Sequence, residues 1–476
     1  MTSFALRWGD HHVSNVAGEI TLVCGLALWM ATRRSIRRSS FELFLYAHHL
    51  YIPFVIFFIL HVGIGFASIM LPGLYLFAID RYLRLLQSRE NARLLSARIL
   101  PCKTLELNFS KAPSLKYNPT SIIFINVAAI SKLQWHPFTV TSSSRSEKDV
   151  LSVVIKCEGT WTTKLYETIS SSAAASQQLR LPVSVEGPYG PPETDRLLLA
   201  HETLVMISGG SGITPFISVL RELASVSVES PIPKIRLVAV FKNSSHLSTL
   251  ELVLPASNAA PAAVDFDLQI EAYVTRETRK NYDGDKFPSA AARTVYLKPC
   301  ASDAPISPTL GPNGWLWLAA IISSSFAVFL VVLGAFNRYA VYPVDGDTNN
   351  LYSYTKKGSM NVLFISLSIM ITATGAYLWN KKHNADEASR LQQSPDDGSA
   401  THPDAAVETE SLPLQSIMQS VAVHYGHRPD LKKKLQEMEE SSVGVLVSGP
   451  KELRQDVAAI CSSVDNLHFK SISFTW

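Results

Sequence analysis

Cysteine is scarce and unclustered: Cys24, Cys102, Cys157, Cys300 and Cys461 are five in 476 residues, and no two form a CxxC pair. That set points away from a disulfide framework and a thiolate zinc site and reads as free thiols in a reducing compartment. The start, MTSFALRWGDHH, shows neither the basic-then-apolar pattern of a secretory signal nor the Arg-rich character of a transit peptide. No internal repeat is evident. The net charge of +3 comes without a basic stripe interleaved with aromatics, so no nucleic-acid partner is expected. What the chain does have is apolar sequence, 47% of its residues, which predicts membrane segments.

The run from 41 to 66, FELFLYAHHLYIPFVIFFILHVGIGF, is long enough to cross a bilayer, which takes about 20 residues, yet it holds His48, His49 and His61. Imidazoles at membrane depth are functional-site candidates. On one continuous helix His48 and His61 would stand about 20 Å apart along the axis and within roughly 140° of each other. That is too far to share one metal and suits one ligand to each of two stacked haems. The competing reading is hydrogen bonding to neighbouring helices. His49 points about 100° away from His48 and is set aside as a bystander.

Before this helix, residues 14 to 31 form a first span, closed by Arg33, Arg34, Arg37 and Arg38, which belong on the cytoplasmic side. The His helix, kinked at Pro53, runs outward, turns near Gly63 to Gly65 and returns over residues 66 to 79 to a second Arg-rich flank. From 97 to 190 the pattern changes to short β-rich runs that predict a small antiparallel barrel. Residues 203 to 299 alternate strand and helix, the pattern of a doubly wound α/β nucleotide-binding domain. Two more apolar spans, 315 to 336 and 360 to 379, interrupt that domain. A stretch rich in Asp, Ser, Gln, Ala and Pro follows and reads as a disordered linker, after which VGVLVSGPKELRQDVAAICSS adds one more strand, turn and helix.

Several short motifs carry chemistry. His136-Pro137-Phe138-Thr139 at a strand end offers aromatic surface and polar donors of the kind a flavin needs, although it also reads as an ordinary strand end. Glu158-Gly159-Thr160 opens a helix as a pyrophosphate seat would. Glu186-Gly187-Pro188-Tyr189-Gly190 is a Gly/Pro turn. Ser208-Gly209-Gly210-Ser211-Gly212-Ile213-Thr214-Pro215 lies where a strand meets a helix: its glycines let backbone amides approach a pyrophosphate, Thr214 suits the cap and Pro215 the first turn.

Taken together, FELFLYAHHLY, LQSRENARLLSARILPC, SKLQWHPFTVTSSS, VEGPYGP, SGGSGITPFISVLREL and the terminal ISFTW resemble the plant ferric-chelate reductases (ferric reductase oxidases) and, more distantly, the NADPH oxidases of the flavocytochrome b superfamily. The resemblance implies a multidomain membrane protein: an α-helical transmembrane bundle joined to a ferredoxin-reductase-like module, with an antiparallel β-barrel for FAD and a doubly wound α/β domain for NADPH. The expected divisions are 1–95 for the haem-binding membrane part, 96–195 for the FAD barrel, 196–312 and 416–476 for the NADPH domain, 313–382 for two inserted membrane helices and 383–415 for the linker. Electrons would pass from NADPH through FAD and haem b to Fe(III) chelates across the membrane.

Matched residue by residue, the resemblance makes His48 and His61 haem ligands. It gives His136, Pro137, Phe138, Thr139, Gly159, Thr160 and Gly187 to FAD, and Gly209, Gly210, Gly212, Thr214 and Pro215 to NADPH. Lys242 and Arg276 are candidates for the 2′-phosphate, with solvated surface charge as the alternative. Phe474 and Trp476 match the end that covers the flavin, and Ser448 stands where related reductases have the Cys that faces the nicotinamide. The family places a second spaced His pair on an earlier helix, so this chain supplies one ligand per haem and is expected to be N-terminally truncated. That leaves three alternatives in view: a superoxide-generating NADPH oxidase, a truncated regulatory form that self-associates or pairs with an intact reductase, and a haem-free diaphorase. The host is expected to be the plasma membrane, with an organellar (chloroplast) envelope as the alternative.

Overall fold

The computed structural model describes residues 14–100, 102–174, 179–190, 198–225, 233–253, 267–278, 292–300, 302–311, 314–341, 354–392, 407–410 and 421–472. It divides into two compact units, Met1–Arg89 with Thr309–Glu387 and Glu90–Pro308 with Ala388–Trp476. The first begins with helix α1 (Asn15–Ala31), the short α2 (Arg34–Ser39), α3 (Phe41–His48) and α4 (Tyr51–Ser88).

The single His-bearing helix expected from sequence is thus two helices, broken at His49 and Leu50. Proline is the cause. Pro53 has no N–H to give the carbonyl four residues back, which is that of His49; that carbonyl accepts instead from the Ile52 N–H at 3.1 Å, and the helix resumes at Tyr51. The angular offset calculated for a continuous helix therefore does not carry over. At Gly63 the backbone leaves helical geometry (φ 78°, ψ 164°), a conformation that favours glycine. The rings of Tyr51 and Phe77 meet at 5.7 Å across this point. A straight helix would hold residues 26 positions apart at about 39 Å, so the chain reverses at Gly63. Helix α1 packs on the outgoing leg through glycines one heptad apart: a Cβ on Gly18 would fall 2.6 Å from His61 Cε1, and one on Gly25 3.1 Å from Phe54.

The second unit opens with β1 (Leu94–Leu100), β2 (Thr104–Ser110), β3 (Ile122–Val127), β4 (His136–Thr139), β5 (Val150–Lys156), helix α5 (Thr160–Ala174) and β6 (Val183–Tyr189). Antiparallel pairing joins β1, β2 and β5 in one sheet and β4, β3 and β6 in another. Bridges between Val140 and Val153 and between Asn91 and Ser184 close the two sheets on each other. The result is the expected barrel, filled by Leu105, Leu107, Phe109, Ile123, Ile125, Leu151 and Ile155 from alternating strand positions.

Strand β7 (Thr203–Gly209), helix α6 (Thr214–Ala224), β8 (Lys234–Phe241) and β9 (Leu268–Val274) then start a parallel sheet. The next strand, β10 (Ala292–Tyr296), does not join that sheet. It pairs with β1 on the barrel edge, where Ala304 and Ile306 also bridge to the barrel. The chain then enters α7 (Gly314–Phe336) and α8 (Tyr354–Gln392), which pack on the returning leg of α4 through Tyr75, Ile79, Leu83, Ile321, Ile369 and Ala373. Two hydroxyl pairs tie them further: Tyr75 with Ser325 at 2.5 Å and Tyr82 with Thr374 at 2.8 Å. The stretch 383–415, expected as a linker, contains the end of α8 and strand β11 (Val407–Glu410), whose backbone pairs with β10. Local composition concealed that strand because its partner lies before the insertion.

Strands β12 (Val421–Tyr425), β13 (Val443–Ser448) and β14 (Leu467–Ser471), with helices α9 (Leu431–Gln436) and α10 (Lys451–Cys461), complete the parallel sheet in the order β12-β9-β8-β7-β13-β14. Of the five spans expected, three described helical stretches are long and apolar enough to cross a membrane, Glu42–Gly63 running through α3 and the outgoing leg of α4, Gly314–Val341 and Lys356–Asp386, and Asn15–Ala31 is a shorter apolar helix.

Candidate active site

Strand order decides where a ligand binds in an open parallel sheet. The chain builds outward from β7 through β8, β9 and β12, then crosses back to lay β13 on the other side of β7. That reversal between β7 and β13 is a topological switch point, and ligands bind in the crevice beyond the strand ends there. Two of the sequence motifs leave from these two strands: Gly209–Thr214 from β7, and Ser448-Gly449-Pro450 from β13.

Their backbones touch. A Cβ on Gly212 would lie 2.4 Å from the Ser448 carbonyl oxygen, and one on Gly209 2.8 Å from Pro450 Cδ. Gly210 has φ +62° and open space around it. Ser208 and Ser448 face each other in register, both buried, and Ser208 Oγ has no hydrogen-bond partner among the described residues. Thr214 does not cap α6 as expected: it is the first helical residue, and its hydroxyl donates 3.1 Å to the Ser211 carbonyl. No side chain caps this helix, but a 3-10 turn over Gly210–Ile213 leads directly into it: the Thr214 N–H donates to the Ser211 carbonyl and Pro215, in the first turn, has no N–H, so the turn, with Gly210 at its head, and not the start of α6, is what faces an anion. The orphaned Ser208 hydroxyl, the close glycines and this turn together fit a dinucleotide. Lys242 and Arg276, just past the ends of β8 and β9, are exposed neighbours, with the Arg276 N–H donating 3.1 Å to the Lys242 carbonyl.

On the barrel, β4 is the motif His136–Thr139 itself. Trp161, in the first turn of α5, packs its ring 4.4 Å from His136 and 6.2 Å from Phe138, which brings the Gly159-Thr160 helix start beside the flavin motif. Trp161 Nε1 is buried without a hydrogen-bond partner among the described residues, as is Thr141 Oγ1 two positions beyond the motif. These orphaned donors fit a polar aromatic ligand such as a flavin. Thr162 accepts from the Gly159 N–H at 3.0 Å, so that amide is already used. Glu158, which precedes it, is held below the usual carboxylate range by its hydrogen bond with Lys156, a 2.6 Å ion pair. Gly187, at φ +111°, sits in the irregular pairing of β6 with β3, one strand from β4. Phe474 and Trp476 lie outside the described residues.

In the membrane unit, His61 Nδ1 lies 2.9 Å from the Ser14 carbonyl oxygen. With Nδ1–H donating there, Nε2 is the nitrogen left for a metal, the usual arrangement for a ligating imidazole. His48, the last residue of α3, packs against the Phe44 ring at 4.6 Å. His61 thus offers one free ring nitrogen, and His48 stands exposed at the end of its helix. Among the described residues no group of three or more His, Cys, Asp or Glu side chains gathers as a metal site.

Two family models match this chain, an FAD-binding domain over residues 89–193 and a ferric reductase NAD binding domain over 201–462. Ferric reduction oxidase 2 of Arabidopsis thaliana is 52% identical over 99% of this chain and 66% of its own length, and ferric reduction oxidase 4 of the same plant is 46% identical over 100% and 68%. The chain belongs to the ferric reduction oxidase family. It spans about two thirds of the length of these relatives, and a superoxide-generating NADPH oxidase heavy chain of Dictyostelium discoideum is 31% identical over 43% of the chain and 42% of that relative, which places the family in the flavocytochrome b superfamily.

The FAD match covers the barrel strands from β1 to β6, and the NAD match takes in β7 and runs across the inserted helices through α10, leaving only the last sheet strand, β14, beyond it. FAD and NAD(P)H are therefore the cofactors of this ferric reduction oxidase module, which is joined to described helices long and apolar enough to cross a membrane. Trp161, Thr141 and Ser208 belong to or border the sequence motifs for pyrophosphate, flavin and dinucleotide, but the motifs single out none of them as a site residue. Only burial without a partner distinguishes them.

Proposed function

We propose that the chain takes hydride from NADPH and passes electrons to chelated Fe(III) across the membrane, as a ferric-chelate reductase. The observation that carries this reading is the meeting of the Gly209–Thr214 and Ser448–Pro450 loops at the switch point, in one compact unit with a barrel that holds buried donors without a partner among the described residues, at Trp161, packed on the flavin motif, and at Thr141, just beyond it. FAD and haem, when bound, supply the change from a paired hydride donor to the single electrons that Fe(III) accepts.

The protein's own residues bind and orient. The backbone of the Gly210–Ile213 turn receives the pyrophosphate, and Ser208 with Ser448 borders the nicotinamide. Lys242 and Arg276 favour NADPH over NADH by meeting the 2′-phosphate. Ser448 cannot form a thiolate and keeps the site neutral. His136, Phe138 and Trp161 pack beside the flavin while Thr139, Gly159, Thr160 and Gly187 shape its edges. His61, oriented by the Ser14 carbonyl, and His48 would each hold one haem. Phe474 and Trp476 would close over the flavin.

The preferred host is the plasma membrane, with an organellar envelope as the alternative that relatives named mitochondrial and chloroplastic keep in view. Oxygen as acceptor is a second reading, favoured by the oxidase relative. A dithionite-reduced minus oxidised spectrum of the chain in membranes, taken with NADPH-dependent Fe(III)-chelate reduction under nitrogen, tests the proposal. A b-type haem signal with iron reduction is expected. NADPH consumption that needs oxygen would favour the second reading, and dye reduction without haem would leave only the flavin half working.

A further inference from the structure

The flavin motif and the nicotinamide motif are each followed directly by the segment that joins their two domains. After Thr139 the chain continues into Val140 to Glu147, pinned to the barrel by the Ser152 N–H donating to Ser142 Oγ at 2.9 Å and by Tyr117 Oη beside the same hydroxyl at 2.7 Å. After the nicotinamide loop the chain continues as α6, a helix buried along most of its length. Ser218, Arg221 and Glu222 stand four, seven and eight positions beyond Thr214, on one side of that helix.

That side meets the barrel in a set of directional contacts. The Thr120 N–H donates to Ser218 Oγ at 3.2 Å. Glu222, 4% exposed, accepts from Ser143 Oγ at 2.7 Å and pairs with Arg145 Nε at 2.7 Å. Arg221 forks between two barrel carboxylates, Glu106 at 3.5 Å and Glu147 at 3.6 Å, and Glu106 in turn meets Arg98 at 3.6 Å. Apolar packing of Leu100, Cys102 and Val154 against Leu220 and its neighbours surrounds the interface. Apolar contact alone is tolerant of sliding, whereas a fork held by two carboxylates fixes angle as well as distance.

We propose that Arg221 and Glu222 are positioning residues that set the nicotinamide against the flavin, acting through the loop 140–147 on one motif and through α6 on the other. This rests on the reading that hydride passes between those two sites. Arg221 and Glu222 lie outside the motifs assigned to FAD and NADPH. Their effect is to hold the two binding loops in one geometry, so that hydride donor and acceptor meet without a search. Misplacement by about 1 Å at such a step costs on the order of 10²-fold in rate.

The test is Arg221→Lys in the full FAD-loaded chain, followed by anaerobic rapid mixing with NADPH. Lysine keeps the charge but presents a single point where the fork had two. The limiting rate of flavin reduction is expected to fall on the order of 10²-fold, while the NADPH concentration at half-saturation stays within about threefold. The flavin–nicotinamide charge-transfer absorbance should weaken in step, and hydrogen exchange of amides 141–147 in the FAD-free chain should quicken. Arg145→Ala, at a half-exposed site, should give the same pattern with about a tenfold loss and is read if the lysine variant does not fold. A parental limiting rate in both variants would overturn the proposal. So would a rate loss matched by equal loss of NADPH affinity with unchanged exchange. Failure of the unsubstituted chain to reduce its flavin would instead count against the proposed hydride transfer itself.

Discussion

Adding one methyl group at Gly212 probes the switch point most sharply. A Cβ there would sit 2.4 Å from the Ser448 carbonyl oxygen and 3.0 Å from the Gly449 nitrogen, all backbone, with no side chain able to swing away. Carbon and carbonyl oxygen approach each other to about 3.3 Å, so the two loops must part by roughly 0.9 Å. Displacement on that scale at a hydride-transfer site corresponds to on the order of 10²-fold in rate, or about 2.7 kcal/mol of barrier. Gly210→Ala is the control. Its Cβ meets nothing within 4 Å, and only the φ of +62° is strained, at about 1 to 2 kcal/mol for a non-glycine residue. Rapid-mixing flavin reduction by NADPH should therefore show Gly212→Ala far slower than Gly210→Ala, with FAD retained in both. Equal rates for the two variants, or a Gly212→Ala rate near the parental one, would refute the claim that these loops jointly form the nicotinamide site.

Three further outcomes are expected. Replacing both Lys242 and Arg276 with Gln should lower the NADPH-over-NADH preference in kcat/KM on the order of 10²-fold and leave NADH constants unchanged, since two charge-assisted contacts are lost; equal loss with both nucleotides would remove the 2′-phosphate assignment. His61→Ala should abolish the b-type haem band of membranes while FAD content is retained, and an undiminished band would show that His61 is not a ligand. His201 and His246 sit below the ordinary imidazole range, both through burial first, then His468 beside His201 and Lys156 near His246. The unfolded chain, with imidazoles near about 6.5, therefore takes up protons first as pH falls, so stability is full above that value and is lost as pH drops through the folded values. Melting temperature should decline toward acid, less steeply for His201→Gln, and a rise toward acid would reverse the assignment.

Much of this architecture was legible because it is written locally. The β-rich runs gave the barrel, and Ser208–Pro215 announced a strand-to-helix turn. The apolar spans fell where α1, α3–α4, α7 and α8 lie. What escaped depended on partners distant in sequence. The switch point exists only because β13 crosses back to pair with β7, and β10 and β11 join the barrel edge across the membrane insertion. The break at His49 and Leu50 was hidden by treating Pro53 as a kink within one helix, when it denies the His49 carbonyl its usual partner and leaves that carbonyl to the Ile52 N–H. Trp161, Ser208, Arg221 and Glu222 carried no signal in their own residue types, because an unpartnered donor and a two-carboxylate fork are properties of packing.

The most direct test of the central claim places the FAD-loaded chain in sealed proteoliposomes without oxygen, reduces the flavin with NADPH on one side, and adds an impermeant Fe(III) chelate on the other. The account predicts that the flavin's visible absorbance returns as Fe(II) appears, with about two Fe(II) formed for each NADPH consumed. A flavin that stays reduced in the presence of the chelate and recovers only when oxygen is admitted would contradict it.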